Sequence, residues 1–136
     1  MGPDIYDVQA AGETLIGAAL EQARRENKRV LVLFGANWCP WCRRLDRTLT
    51  EDPAVQTQLR ANFVLVPVDA NTRRNKQRNA DVLARFGDPL RFGLPVFVVL
   101  AADGTLLTTR ETQSFDSPAP EQIAKRLHAF LDEWAK

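Results

Sequence analysis

Five apolar residues in a row, Val30 to Phe34 within RVLVLFGA, constrain the fold more than any other stretch of this chain. The run is too short for a buried helix and has no polar residue for a solvated face, so it reads as a central strand covered on both sides. Such strands belong to parallel sheets, whose crossovers put helices on each face. The next residues narrow the choice. Cys39-Pro40-Trp41-Cys42 follows almost at once, and then Cys42, Leu45 and Leu49 recur three and four residues apart among Arg43, Arg44 and Arg47. That spacing predicts a helix starting at the cysteines, with Cys39 at or just before its first turn.

The remaining elements fit the same α/β plan. Ile16, Ala19, Leu20 and Ala23 mark one amphipathic helix over Glu13 to Arg25, closed by Lys28-Arg29. Residues 1–12 read as an irregular lead-in. Asp52-Pro53 reads as a cap and first helical position for a short helix through Val55 and Leu59. FVLVPVDA follows as a strand, and because Pro67 has no N–H for a ladder, that strand lies at a sheet edge or pairs on one side only. Asn71 to Asn79 is polar and basic without an apolar anchor, and reads as a solvated loop, with an electrostatic docking patch as the alternative. ADVLARFG is a short helix closed by Gly87. The β-rich runs around Asp103-Gly104 predict a hairpin with a left-handed turn. Ile123, Leu127, Phe130, Leu131 and Trp134 share one face of a helix from near Pro120 that covers the sheet.

At 136 residues the chain suits one domain spanning 1–136, with no repeat or linker in view. A formal charge of +1, from 18 basic and 17 acidic side chains, offers no global field for nucleic acid or an anionic membrane, and neither partner is expected. No apolar stretch approaches the roughly 20 residues of a membrane span, so a soluble chain is expected. The opening MGPDIYDVQ lacks the basic and apolar regions of a secretory signal.

Two cysteines are too few for a disulfide scaffold, so their spacing calls for chemistry. A thiol is a weak nucleophile until it ionises, at about pH 8.5 when unperturbed. A helix N-terminus supplies free N–H groups and the positive end of the macrodipole, both favouring thiolate at Cys39. Cys42, one turn on, can then attack a mixed disulfide and release product. The metal alternative is poorer. Zinc wants four ligands, and the single His128, on the last helix among Leu127, Phe130 and Leu131, has no second cysteine pair to join. No metal and no bound cofactor are expected; a cluster shared between two chains is the remaining metal reading.

FGANWCPWCRRL resembles the active-site segment of the thioredoxin superfamily, and FGLPVFVVLAADG is similar to its second signature, in which a cis-proline precedes the hairpin. The resemblance runs from about Val30 to the end. It implies a thioredoxin-like fold, a central mixed β-sheet flanked by helices on both faces, and a protein disulfide isomerase-like thiol–disulfide oxidoreductase with a Cys-Pro-Trp-Cys site. By position, Cys39 corresponds to the attacking thiol, Cys42 to the resolving thiol and Pro95 to the cis-proline facing them. Leu94 would offer backbone hydrogen bonds to an extended substrate. Trp38, Pro40 and Trp41, the last exposed within the turn, would form an apolar rim for substrate together with Phe92 and Leu94. The implied partners are proteins bearing thiols or disulfides and a dithiol protein that resets the pair, with the chain itself a monomer.

The pattern also departs from the family. General reductants carry a buried aspartate and a lysine where this chain has Leu33 and Leu65, which implies an apolar site floor that disfavours a charged Cys42. Asp46, four residues beyond Cys42 on the same helix face, is the one nearby carboxylate, and pairs more naturally with Arg43 or Arg47. Pro40-Trp41 is closer to the proline-aromatic pair of glutaredoxins, which raises a glutathione-linked activity as an alternative; Leu94 before Pro95 argues against it. A second alternative is a binding module on the same fold with an idle dithiol. The missing acid and the bulky dipeptide favour a periplasmic or otherwise extracytoplasmic protein, with the cytoplasm as the alternative.

Overall fold

The computed structural model describes residues 4–73 and 77–135. Its elements run α1 (Gly12–Glu26), β1 (Arg29–Gly35), α2 (Pro40–Glu51), α3 (Pro53–Asn62), β2 (Phe63–Asp69), α4 (Ala80–Arg85), β3 (Val96–Leu100), β4 (Leu106–Glu111) and α5 (Pro120–Trp134), with short 3₁₀ turns at Pro89–Phe92 and Gln113–Phe115. The four strands form one mixed sheet in the order β2-β1-β3-β4. β1 pairs parallel with β2 and antiparallel with β3, and β3 pairs antiparallel with β4.

Alternation along β1 divides the core. Leu31 and Leu33 face a cluster with α2, α3 and α5, including Cys42, Leu45, Leu59, Leu127 and Phe130. Val30, Val32 and Phe34 face the opposite cluster with Ile16 and Ala23 of α1 and Val82 and Leu83 of α4. The apolar run is therefore buried on both faces for the reason the strand period gives: odd and even side chains each meet a helical layer. Phe97 stacks on Phe130 with ring centroids 5.5 Å apart and tilts against Phe115, which fastens α5 to the sheet. Pro67 lies on edge strand β2, opposite Leu33 alone, where its missing N–H leaves no gap in an inner ladder.

One local expectation needs correction, and two gain detail. α1 ends before Lys28-Arg29: Asn27 takes the left-handed conformation at φ 58°, its N–H bonds Ala23 O, and Arg29 already pairs with Phe63 in the sheet. Asn tolerates that geometry because its short polar side chain does. In the hairpin only Gly104, at φ 93°, is left-handed; Asp103 instead accepts the Thr105 N–H at 2.9 Å, and the loop spans Ala101 to Thr105. The third concerns the polar loop after β2. Residues 74–76 lie outside the described residues, but the flanks are tied down: Asn79 accepts the Gly12 N–H and donates to Asp69 O, and Arg78 reaches both Asp69 and Ala10 O. Hydrogen bonds anchor these flanks where no apolar residue could.

Candidate active site

The end of β1 and the start of α2 build the site. Pro40 opens the helix at a position where its missing N–H costs nothing, and Cys39 is the N-cap residue in extended conformation. Its sulfur does what a capping oxygen does elsewhere: Sγ accepts the Cys42 N–H at 3.2 Å. The Cys39 thiol is pulled down to about 6 by a hydrogen bond from the Cys42 thiol, assisted by the backbone N–H groups of Cys42 and Trp41 and by the Arg44 charge, against the opposing effect of burial. Cys42 is fully buried and moves the opposite way. The same hydrogen bond and its burial hold it protonated, only partly offset by the Ala36 backbone and the Tyr6 hydroxyl. Both cysteines are free thiols, so the site stands in its reduced state.

The floor beneath the sulfurs is apolar. Leu33 is 1% exposed and Leu65 packs partly buried against the same cluster. Asp46 is half-buried, its carboxyl raised by burial and drawn back by Arg43. The described residues include no group of three or more His, Cys, Asp or Glu able to hold a metal. His128 sits on the surface of α5 with Nδ1 3.3 Å from Asp132.

The predicted rim is only partly a rim. Trp41 is 9% exposed and belongs to the core, not to the surface expected for it. Its Nε1–H donates to Thr112 Oγ1 at 3.0 Å, and the Thr112 hydroxyl donates to Pro95 O at 2.6 Å. An indole N–H needs a partner when buried, and β4's end supplies one. That chain of bonds links the dipeptide between the cysteines to Pro95, whose peptide bond with Leu94 is cis. Arg44 lies 5.0 Å over the Trp41 ring and pairs through both guanidinium nitrogens with Asp116. Trp38 is half-buried: its Nε1–H donates to Asn71 Oδ1 at 2.7 Å and the Arg73 guanidinium lies 3.8 Å above its ring. Phe92, 41% exposed, and the half-buried Leu94 remain as apolar surface beside Pro95.

Residue reading of the sequence missed Tyr6. Residues 4–11 precede α1 without helix or strand, yet Tyr6 is 1% exposed within the cluster that holds Cys42. Asn37 pins it there, accepting the Ile5 and Tyr6 N–H groups at 2.9 Å and donating to Tyr6 O. A lone tyrosine in a polar lead-in carries no periodic signal.

With this geometry in place, comparison with known proteins is decisive for the family. Residues 14–102 match the family described as thioredoxin-like. The chain belongs to the thioredoxin-like family. Among thioredoxin-like relatives, it is 34% identical over 89 residues to thiol:disulfide interchange protein DsbD 1 of Pseudomonas aeruginosa, covering 65% of this chain and 14% of that protein. It is 30% identical over 101 residues to thiol:disulfide interchange protein DsbD of Vibrio vulnificus, covering 74% and 16%. The chain thus spans about a seventh of these relatives' length. Among solved structures, it resembles a disulphide isomerase from Xylella fastidiosa, with a TM-score of 0.80 and 27% identity over 96% of this chain and 98% of that one. A thioredoxin from Thermus thermophilus aligns with a TM-score of 0.57 and 25% identity over 84% and 82%.

Proposed function

We propose that this thioredoxin-like chain is a thiol–disulfide oxidoreductase acting on disulfides in other proteins, with Cys39 as nucleophile and Cys42 as resolving thiol. The observation that carries this reading is the opposed pair of thiols at the start of α2: Cys39 held toward thiolate, Cys42 held protonated and buried. The names of the interchange and isomerase relatives support it.

In this mechanism the Cys39 thiolate attacks one sulfur of a substrate disulfide, forming a mixed disulfide and releasing the other sulfur as a thiol. Cys42 then attacks Cys39, the Cys39–Cys42 disulfide forms, and the reduced substrate leaves. The pair carries both electrons, so no bound cofactor is required, and a partner dithiol protein resets it. Leu94 and the cis Pro95 offer the backbone edge for an extended substrate segment, and Trp38, Pro40 and Phe92 the apolar contacts. Trp41 acts from beneath, holding that edge through Thr112.

A favoured Cys39 thiolate stabilises the dithiol form, which makes the pair more oxidising. We read it as an isomerase-type protein, working outside the cytoplasm as a monomer. Equilibration in glutathione buffers, with thiols counted by alkylation and mass, tests it. A potential near about −180 to −120 mV is expected; one near about −270 mV indicates a general reductant instead. Absence of any reversible two-electron transition overturns the enzyme reading, and Cys39→Ser abolishing turnover separates it from a binding module, in which affinity would persist and no turnover would be lost.

A further inference from the structure

Cys42 must ionise to finish the reaction, in a pocket whose floor is Leu33 and Leu65 and where burial opposes the charge. One polar group is nevertheless aimed into that pocket. Tyr6 is 1% exposed, and its hydroxyl has no aligned hydrogen-bond partner in the resting dithiol. A buried donor left unpaired is costly, so the hydroxyl's place calls for a reason. Its location is specific. The hydroxyl fills the space of the absent Gly35 side chain: a Cβ there would collide with it. Asn37, two residues before Cys39, holds the Tyr6 backbone by two hydrogen bonds and the Ile5 N–H by a third, so the phenol is positioned by the same turn that positions the cysteines.

We propose that Tyr6 is a catalytic hydrogen-bond donor to Cys42, its phenolic O–H donating to Cys42 Sγ as that sulfur loses its proton and attacks the mixed disulfide at Cys39. The proposal rests on the roles assigned to the two cysteines above. In the step, the Cys42–Cys39 bond forms, the bond from Cys39 to the substrate sulfur breaks, and the Cys42 proton ends on the released substrate thiol. Tyr6 keeps its own proton. Burial, with Cys42, Asp46 and Cys39 nearby, holds the phenol well above its ordinary range, so at neutral pH it donates and does not act as a base. The interaction favours thiolate at Cys42 and neutral phenol at Tyr6, as a donor–acceptor pair requires.

This assigns a different part to Asp46, the carboxylate that spacing alone picks out: its charge acts on the Tyr6 phenol, and Arg43 draws it the other way. Among the described residues, the side chains acting on Cys42 include Cys39 at the N-cap and Tyr6 ahead of α1; Asp46 acts on Tyr6, Arg43 on Asp46, and Arg44 on Cys39.

The test mixes the full reduced chain rapidly with one equivalent of Ellman's reagent. Attack by Cys39 releases one coloured thiolate and closure by Cys42 releases a second, so the two steps separate in time. Tyr6→Phe keeps the ring and removes the donor. The expected result is a second phase slowed about tenfold relative to the first, the loss of one hydrogen bond to a charged group, with its rise moved to higher pH. Gly35→Ala, which displaces the hydroxyl from the other side, should slow the same phase selectively. An unchanged ratio of phases and unchanged pH profile in Tyr6→Phe overturns the proposal, and so does equal slowing of both phases, the mark of a packing role. Release of a single equivalent by the wild-type chain overturns the cysteine roles themselves, and this proposal with them.

Discussion

At the scale of single residues, the site turns on which sulfur holds the proton. The Cys39 thiol is pulled down to about 6, below an ordinary thiol, by the hydrogen bond from the Cys42 thiol and then by amide groups at the N-terminus of α2. Rapid alkylation with iodoacetamide should therefore modify Cys39 alone, its rate rising with pH to a half-point near 6. Arg44→Ala should move that half-point upward by removing a positive charge. The same shift makes stability depend on pH. The folded reduced chain favours thiolate at Cys39 and the unfolded chain does not, so the reduced form gains stability as pH rises from about 6 toward the unfolded thiol's ~8.5, above which Cys42, held protonated by the fold, takes the gain back. Denaturant melts of the reduced and disulfide forms at both ends of that window should show the gain only in the reduced one. Thr112 is the other informative residue. Thr112→Val leaves the buried Trp41 N–H and Pro95 carbonyl unpaired, and should cost about 2 kcal/mol in a denaturant melt.

At the scale of elements, Asp52 joins two helices at one residue. Its N–H closes α2 on Thr48 O, and its carboxylate opens α3 by accepting the Val55 N–H at 3.0 Å. Asp52→Ala should cost about 1 kcal/mol, a fall of about 3 °C in Tm by calorimetry. The Asp-Pro pair was readable in the sequence because capping chemistry is local. The flanks of the loop after β2 were not. Asn71 and Asn79 look like solvent-facing amides in a polar run, and only their partners, Trp38 and the Gly12 N–H, come from distant parts of the chain.

At the scale of the whole molecule, Asp69 shows how a core layer depends on long-range pairing. It is 2% exposed at the end of β2, its carboxyl raised by burial, with Arg78 Nε 3.4 Å away and Oδ1 unpartnered. Arg78 also donates to Ala10 O at 2.6 Å, tying the lead-in to the sheet. Arg78→Ala removes both links and leaves a buried charge unpaired; with Arg78 partly exposed, a loss of about 2 kcal/mol is expected at pH 7. A carboxylate whose folded pKa is raised destabilises the fold as it ionises, so that loss should shrink as pH falls and Asp69 takes a proton. Urea melts of the variant at pH 4 and pH 7 check the direction.

Several features follow from the order of residues alone. The doubly buried strand, the helix opening at Cys39, the one-sided pairing of Pro67 and the α5 face are periodic or local signals, and periodicity survives without knowledge of neighbours. The cysteine pair and the polarity of its surroundings belong here too, because Cys39 is itself the N-cap of α2 and the N–H groups and thiol that favour its thiolate lie within three residues of it. Tertiary structure decided the rest. Trp41 reads as exposed in the sequence and is buried because Thr112, 71 residues away, gives its N–H a partner. Tyr6 enters the site because Gly35 leaves room for its hydroxyl and Asn37 holds its backbone. Neither position has a local signature: each depends on a polar group finding, or lacking, a partner from a distant segment in a space where water cannot replace it.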